Sequence, residues 1–156
     1  MDLHGIQCAI GTLIASRIYE QVKDITPIRE KALAYANSFE YEDWSKCLKE
    51  FLGKSADEMI ALEAKEEKYN KELHAKRLEV IIENWDDILA IIAEELPSSE
   101  QIEKIMTEIE APKTMEEIGL EDTSLEMTFK ATKDIRDKYV LSRLAWDLGI
   151  IEELRY

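Results

Sequence analysis

The sequence predicts an all-α fold. Apolar residues recur at helical spacing along nearly the whole chain, no segment alternates apolar and polar residues as a half-buried strand does, and only five Gly and three Pro punctuate 156 residues. That length fits one domain with a sizeable core, and 46% apolar residues place the chain among globular proteins. Residues 1–156 are therefore read as a single helical domain. No internal repeat, low-complexity tract or convincing boundary interrupts it.

The first predicted helix spans about residues 4 to 24. From Leu3 to Ser16 it carries no Asp, Glu, Lys or Arg, although these make up 35% of the protein, so it is expected to be buried on every side. Gly5 and Gly11 each cost roughly 1 kcal/mol in a helix relative to Ala, which suggests close approach of a ligand or another backbone. Pro27 stops this helix and can open the next, with Ile28, Ala32, Leu33 and Ala36 as its inner face. Tyr41, Trp44, Leu48, Phe51 and Leu52 follow at helical spacing, and Gly53 supplies a left-handed cap. Ser55 with Glu58 has the pattern of a capping box for a helix carrying Met59, Ile60, Leu62 and Ala64.

Lys71 to Leu96 is dense in apolar residues and reads as one helix or as two broken near Asn84. Pro97 ends it, and Ser98 with Gln101 forms a second capping-box pattern leading into Ile102, Ile105, Met106 and Ile109. Thr114 with Glu117 starts a short helix closed by Gly119, and Leu120 to Asp122 reads as loop. The final segment begins near Ser124, carries Phe129, Ile135, Val140, Leu144, Trp146 and Leu148, and ends at Gly149 with a short tail. The tryptophans Trp44, Trp85 and Trp146 sit at core spacings.

Charge narrows the function. Thirty-four acidic against twenty basic residues give a net charge of −14, which argues against nucleic acid and anionic membrane surfaces as partners. The uncharged opening is shorter than the ~20 residues that span a bilayer and has neither a basic flank nor a small-residue cleavage site. A cytoplasmic location is expected. Cys8 and Cys47 lie on separate predicted helices with no CxxC motif, and are expected to be reduced, buried thiols. The charged run from Glu63 to Glu72 reads as a solvated helix face.

The opening HGIQCAIGTLIASRIYE resembles the His-Gly helix that begins the C-terminal helical domain of sn-glycerol-1-phosphate dehydrogenase-like proteins. Those proteins share a superfamily with glycerol dehydrogenase, iron-containing alcohol dehydrogenase and 3-dehydroquinate synthase. Ile135-Arg136-Asp137-Lys138-Tyr139-Val140-Leu141, followed by Trp146-Asp147-Leu148-Gly149, looks like the closing segment of the same domain. The resemblance implies a dehydroquinate-synthase-like helical domain, the metal and substrate side of a two-domain, NAD(P)-dependent oxidoreductase. The complete enzyme would exchange hydride between dihydroxyacetone phosphate and sn-glycerol 1-phosphate, using a divalent zinc, nickel or iron ion. The nucleotide-binding domain, which also supplies an acidic ligand, is absent here, so the isolated chain is expected to be inactive.

By the same resemblance His4 is a metal ligand. The window where the superfamily has its second His contains Tyr19, Glu20 and Gln21 instead, leaving Glu20, water or a more distant residue. His74, the only other imidazole, is a candidate that also reads as an exposed helix histidine. Cys8 lies one turn after His4, and a His-x₃-Cys pair can bind metal, though core filling is the expected role of this thiol. Arg17, Lys130, Lys133, Arg136 and Lys138 are the cations nearest the two motifs and could meet a phosphate ester. Asp134 and Asp137 suggest weak intrahelical pairing with them. The alternative is a helical interaction module that self-associates or docks on a partner chain.

Overall fold

The computed structural model describes residues 4–120, 124–135 and 137–156. Among them it has nine α-helices and no strand: α1 His4–Lys23, α2 Arg29–Asn37, α3 Tyr41–Leu52, α4 Ala56–Glu66, α5 Lys71–Glu83, α6 Trp85–Glu95, α7 Ser99–Glu108, α8 Leu125–Ile135 and α9 Leu141–Asp147. The expected loop at Glu121 and Asp122, and the candidate cation Arg136, lie outside the described residues. Among the described residues no helix is long and apolar enough to cross a membrane.

The chain divides into two compact units, each assembled from distant segments. The first comprises Met1–Ile25, Asp86–Glu126 and Leu154–Tyr156; the second comprises Thr26–Trp85 and Met127–Glu153.

In the first unit α1 packs on α7. Ile6, Ile10, Leu13 and Ile14 fall on one face at helical spacing, and Ile10 and Leu13 are buried with Met106 against Ile102, Met115 and Ile118. The capping box at the start of α7 forms as expected. Ser98 accepts the Gln101 backbone N–H at 3.2 Å, and the Gln101 side chain accepts the Ser98 N–H at 2.9 Å. The expectation that α1 is buried on every side is overturned. Its His4, Gly5, Gln7, Cys8, Gly11 and Thr12 are exposed, because the core takes only the isoleucine and leucine face. A Cβ added at Gly5 or Gly11 would meet nothing within 4 Å. The two glycines therefore mark an open face rather than a close approach.

In the second unit α2 packs on α5 and α9, and α3 on α4. Ala32 and Ala36 are buried on α2 as expected, whereas Ile28 is exposed: it precedes the helix as its extended N-cap residue. Gly53 follows α3 with positive φ, 58°, but its ψ of −129° takes it out of the left-handed helical conformation expected of the cap. Ser55 does not cap α4. The 3₁₀ turn Gly53–Ser55 runs straight into that helix, so Ser55 already has helical dihedrals and its hydroxyl makes no capping bond. Asn84 separates α5 from α6, as one of the two sequence readings had it. The segment after Gly149 is more than a tail, since Ile150 and Ile151 are buried.

Gly149 itself is required twice over. Its φ is 68°, and a Cβ there would lie 3.0 Å from Tyr35 Cβ and 3.2 Å from Ala32 Cα. The turn after α9 thus rests directly on the backbone of α2.

Candidate functional site

Two features stand out, one in each unit. The first is the open face of α1. His4, Cys8, Gly11, Thr12 and Ala15 follow one another at turn spacing, forming a stripe without a formal charge in a chain of net charge −14. The stripe leads to a small apolar pocket of about 110 Å³ lined by Thr12, Ala15, Ser16, Tyr19, Leu96, Pro97 and Ile102. At its head the Cys8 Sγ lies 3.4 Å from His4 Nε2. Both side chains are exposed, so the expectation of a buried, core-filling Cys8 is overturned. Cys47 is exposed as well.

An imidazole and a thiol one turn apart have the donor chemistry that zinc and nickel accept. They fill at most two positions. Among the described residues no group of three His, Cys, Asp or Glu side chains could hold a metal ion, so further ligands would have to come from elsewhere.

Glu20 is committed to another task. Its carboxylate accepts the Ser99 backbone N–H at 2.7 Å and the Ser99 hydroxyl at 2.8 Å, at the N-terminus of α7. These bonds hold its carboxyl below the usual carboxylate range. The helix dipole adds to the same preference for a negative charge. A depressed folded-state value means stabilisation present above the unfolded pKa and lost as pH falls through the folded one. Glu20→Gln is therefore expected to cost about 0.5–1 kcal/mol at neutral pH, with the gap closing in acid. Thermal midpoints of both proteins at pH 7 and at acid pH measure this; a pH-independent gap would contradict it.

The second feature is a buried network of charges in the second unit. Asp134, 2% exposed, lies near the end of α8. It accepts from Trp44 Nε1 at 3.0 Å, Tyr69 Oη at 2.7 Å, Lys133 Nζ at 2.8 Å and Arg143 Nη2 at 3.0 Å. Burial, reinforced by the Asp134 charge, pushes the Tyr69 phenol well above its ordinary value. Burial pulls the Lys133 ammonium down, against the pull of Asp134. The Arg143 guanidinium lies 4.6 Å from the Tyr69 ring centre and 5.2 Å from that of Trp146. Phe39 stacks on the far wall of this cluster, parallel to Tyr69 at 3.9 Å.

Asp147, at the end of α9, is fully buried. Arg77 grips it with two bonds of 2.9 Å, and Tyr139 donates a third at 2.9 Å. His74 is fully buried, contrary to the expected exposed helix histidine. Its Nε2 donates to the Asp147 carbonyl at 2.9 Å, which places the ring proton on that nitrogen, and Nδ1 has no hydrogen-bond partner among the described residues. The imidazole is thus fixed between α5 and α9, edge-on to Trp146. Glu63 is buried too, rather than part of a solvated face: it accepts the backbone N–H groups of Lys68 and Tyr69. Burial raises its carboxyl above the usual range, with those two bonds opposing.

The remaining sequence candidates are distributed between these surroundings. Arg17 pairs with Glu103, and Lys130 with Glu152. Lys133 belongs to the Asp134 network rather than to a weak surface pair, and Lys138 is exposed beside Asp137. Sequence reasoning missed Asp134, Arg143, Asp147 and Glu63 as buried groups. For the first three the signal available was the density of charged residues among apolar ones in the closing segment; for Glu63 there was none.

Comparison of the chain with protein-family models, curated proteins and solved structures finds no match.

Proposed function

We propose that this chain is the helical part of an NAD(P)-dependent, metal-dependent oxidoreductase resembling glycerol-1-phosphate dehydrogenase. The observation that carries the reading is the charge-free, exposed stripe of α1, headed by His4. A surface of interior composition is suited to being covered, here by a nucleotide-binding half and by substrate. His4 would give one ligand to a divalent ion, with Cys8 in reach of the same ion. Such an ion, when bound, polarises a substrate oxygen as hydride moves. The α1 stripe would form one wall of the site, its small side chains leaving room for a polyol phosphate. The likeness at the far end of the chain adds to this, because Tyr139, Trp146, Asp147 and Gly149 each hold a specific place in the second unit.

The test is a chimera in which the nucleotide-binding domain of a glycerol-1-phosphate dehydrogenase precedes this chain, assayed with dihydroxyacetone phosphate and NADH or NADPH. Turnover by the chimera and its loss on His4→Ala are expected. The isolated chain should show none. Turnover by the isolated chain, or a chimera indifferent to His4→Ala, would contradict the proposal.

A second reading, a non-catalytic module that self-associates or docks on a partner, is favoured by other apolar residues of the same unit. Ile91, Ile105 and Ile109 are all more than half exposed. A folded but inactive chimera whose isolated helical chain forms dimers would select it.

A further inference from the structure

We propose that the exposed side of α7, in the first unit, is a docking surface for a basic amphipathic helix of a partner protein. This deepens the second reading above, on which it rests, by naming the chemistry of the partner. Ile102, Ile105 and Ile109 recur at i, i+3 and i+7 and so form one row along α7. Ile102 is partly buried against the α1 core and also lines the apolar pocket with Leu96 and Pro97. The row then runs out into solvent, where Ile105 is 57% exposed and Ile109 67%. An aliphatic row that begins at a pocket of about 110 Å³ suits the evenly spaced apolar anchors of a helix laid along it.

Charge decides between occupants. The first unit holds sixteen acidic and five basic residues, whereas the second holds eighteen and fifteen. Eleven of the fourteen net negative charges therefore belong to the unit that carries the row. Its cations do little to offset them. Arg17 and Lys113 both reach toward the same carboxylate, Glu103. Lys104 has an acid one turn away on either side, Glu100 and Glu108, and only Lys23 and Arg155 remain. A second copy of the chain would bring a first unit of the same sign and be repelled. A helix with Lys or Arg flanking an apolar stripe meets the isoleucines and the acids together, and is drawn in by the field of the whole unit.

The experiment titrates the full chain into a fluorescent peptide of about 18 residues, built of leucine at helical spacing and lysine elsewhere, and follows anisotropy at low and high salt. A leucine and glutamate peptide of the same pattern is the control, and sedimentation of the chain alone reports self-association. Saturable binding of the lysine peptide, weaker in high salt, and none of the glutamate peptide are expected. The double variant Ile105→Gln/Ile109→Gln, whose net charge is unchanged, should lose at least about tenfold in affinity with a thermal midpoint near wild type. Ile28→Gln, at an exposed isoleucine of the second unit, should bind as wild type does. Equal affinity in all three proteins would reduce the binding to charge alone and overturn the proposal. A chain that ignores the peptide but dimerises through Ile105 and Ile109 would overturn the basic partner while leaving the second reading standing. Neither peptide binding nor dimerisation would overturn both.

Discussion

Asp134→Ala is expected to lower the unfolding free energy by about 3–5 kcal/mol, the usual cost of removing one partner from a buried ion pair. The substitution strands Lys133 and Arg143, both nearly inaccessible to water, and takes the acceptor from Trp44 Nε1 and Tyr69 Oη at the same time. Each of those donors is costly to leave unmet. The effect should concentrate in the second unit, where α3, α8, α9 and the turn carrying Tyr69 all converge on this carboxylate. Urea denaturation followed by tryptophan fluorescence measures it, since Trp44 and Trp146 lie in the cluster. A loss below about 1 kcal/mol would mean that the network is solvated and worth no more than a surface pair.

Gly149→Ala is expected to cost about 2–4 kcal/mol. Roughly 1 kcal/mol or more comes from placing a side chain at positive φ, and the rest from overpacking against α2. The contacts are with Ala32 Cα and Tyr35 Cβ, which can move only if the helix does. Gly119 provides the internal comparison. It also has positive φ, 74°, but a Cβ there would meet nothing within 4 Å, so Gly119→Ala should cost only about 1 kcal/mol. Equal losses for the two variants, measured by denaturation, would show that the close approach of α9 to α2 is absent in solution.

Local chemistry accounts for what could be read in advance. The Ser98–Gln101 box, the turn closed by Gly119 and the stop at Pro97 are each decided within four or five residues, and each appears in the structure; Gly53 has positive φ but, with ψ −129°, is not the left-handed cap expected, and at Asn84 the broken one of the two readings is found. Ser55 failed because a preceding 3₁₀ turn, which its own neighbourhood does not announce, had already placed it in helical geometry. Asp134 and His74 were out of reach for another reason. Helical periodicity assigns charged residues to solvent, whereas Asp134 meets Trp44 across 90 positions and Tyr69 across 65, and His74 meets Asp147 across 73. Those pairings are tertiary. The α1 stripe shows the opposite error. Lack of charge implies burial, but the tight core of the first unit needs only one face of the helix.

That stripe is where the functional account rests, and His4 is the residue on which it turns. The most direct measurement is titration of Zn²⁺ or Ni²⁺ into the metal-free chain, wild type beside His4→Ala, following heat release and thermal midpoint together. The account predicts saturable binding that raises the wild-type midpoint, through the His4 imidazole and the Cys8 thiol 3.4 Å away, and its loss in the variant. Binding by neither protein, or by both alike, would contradict a ligand role for His4 and leave the exposed face of α1 as a docking surface.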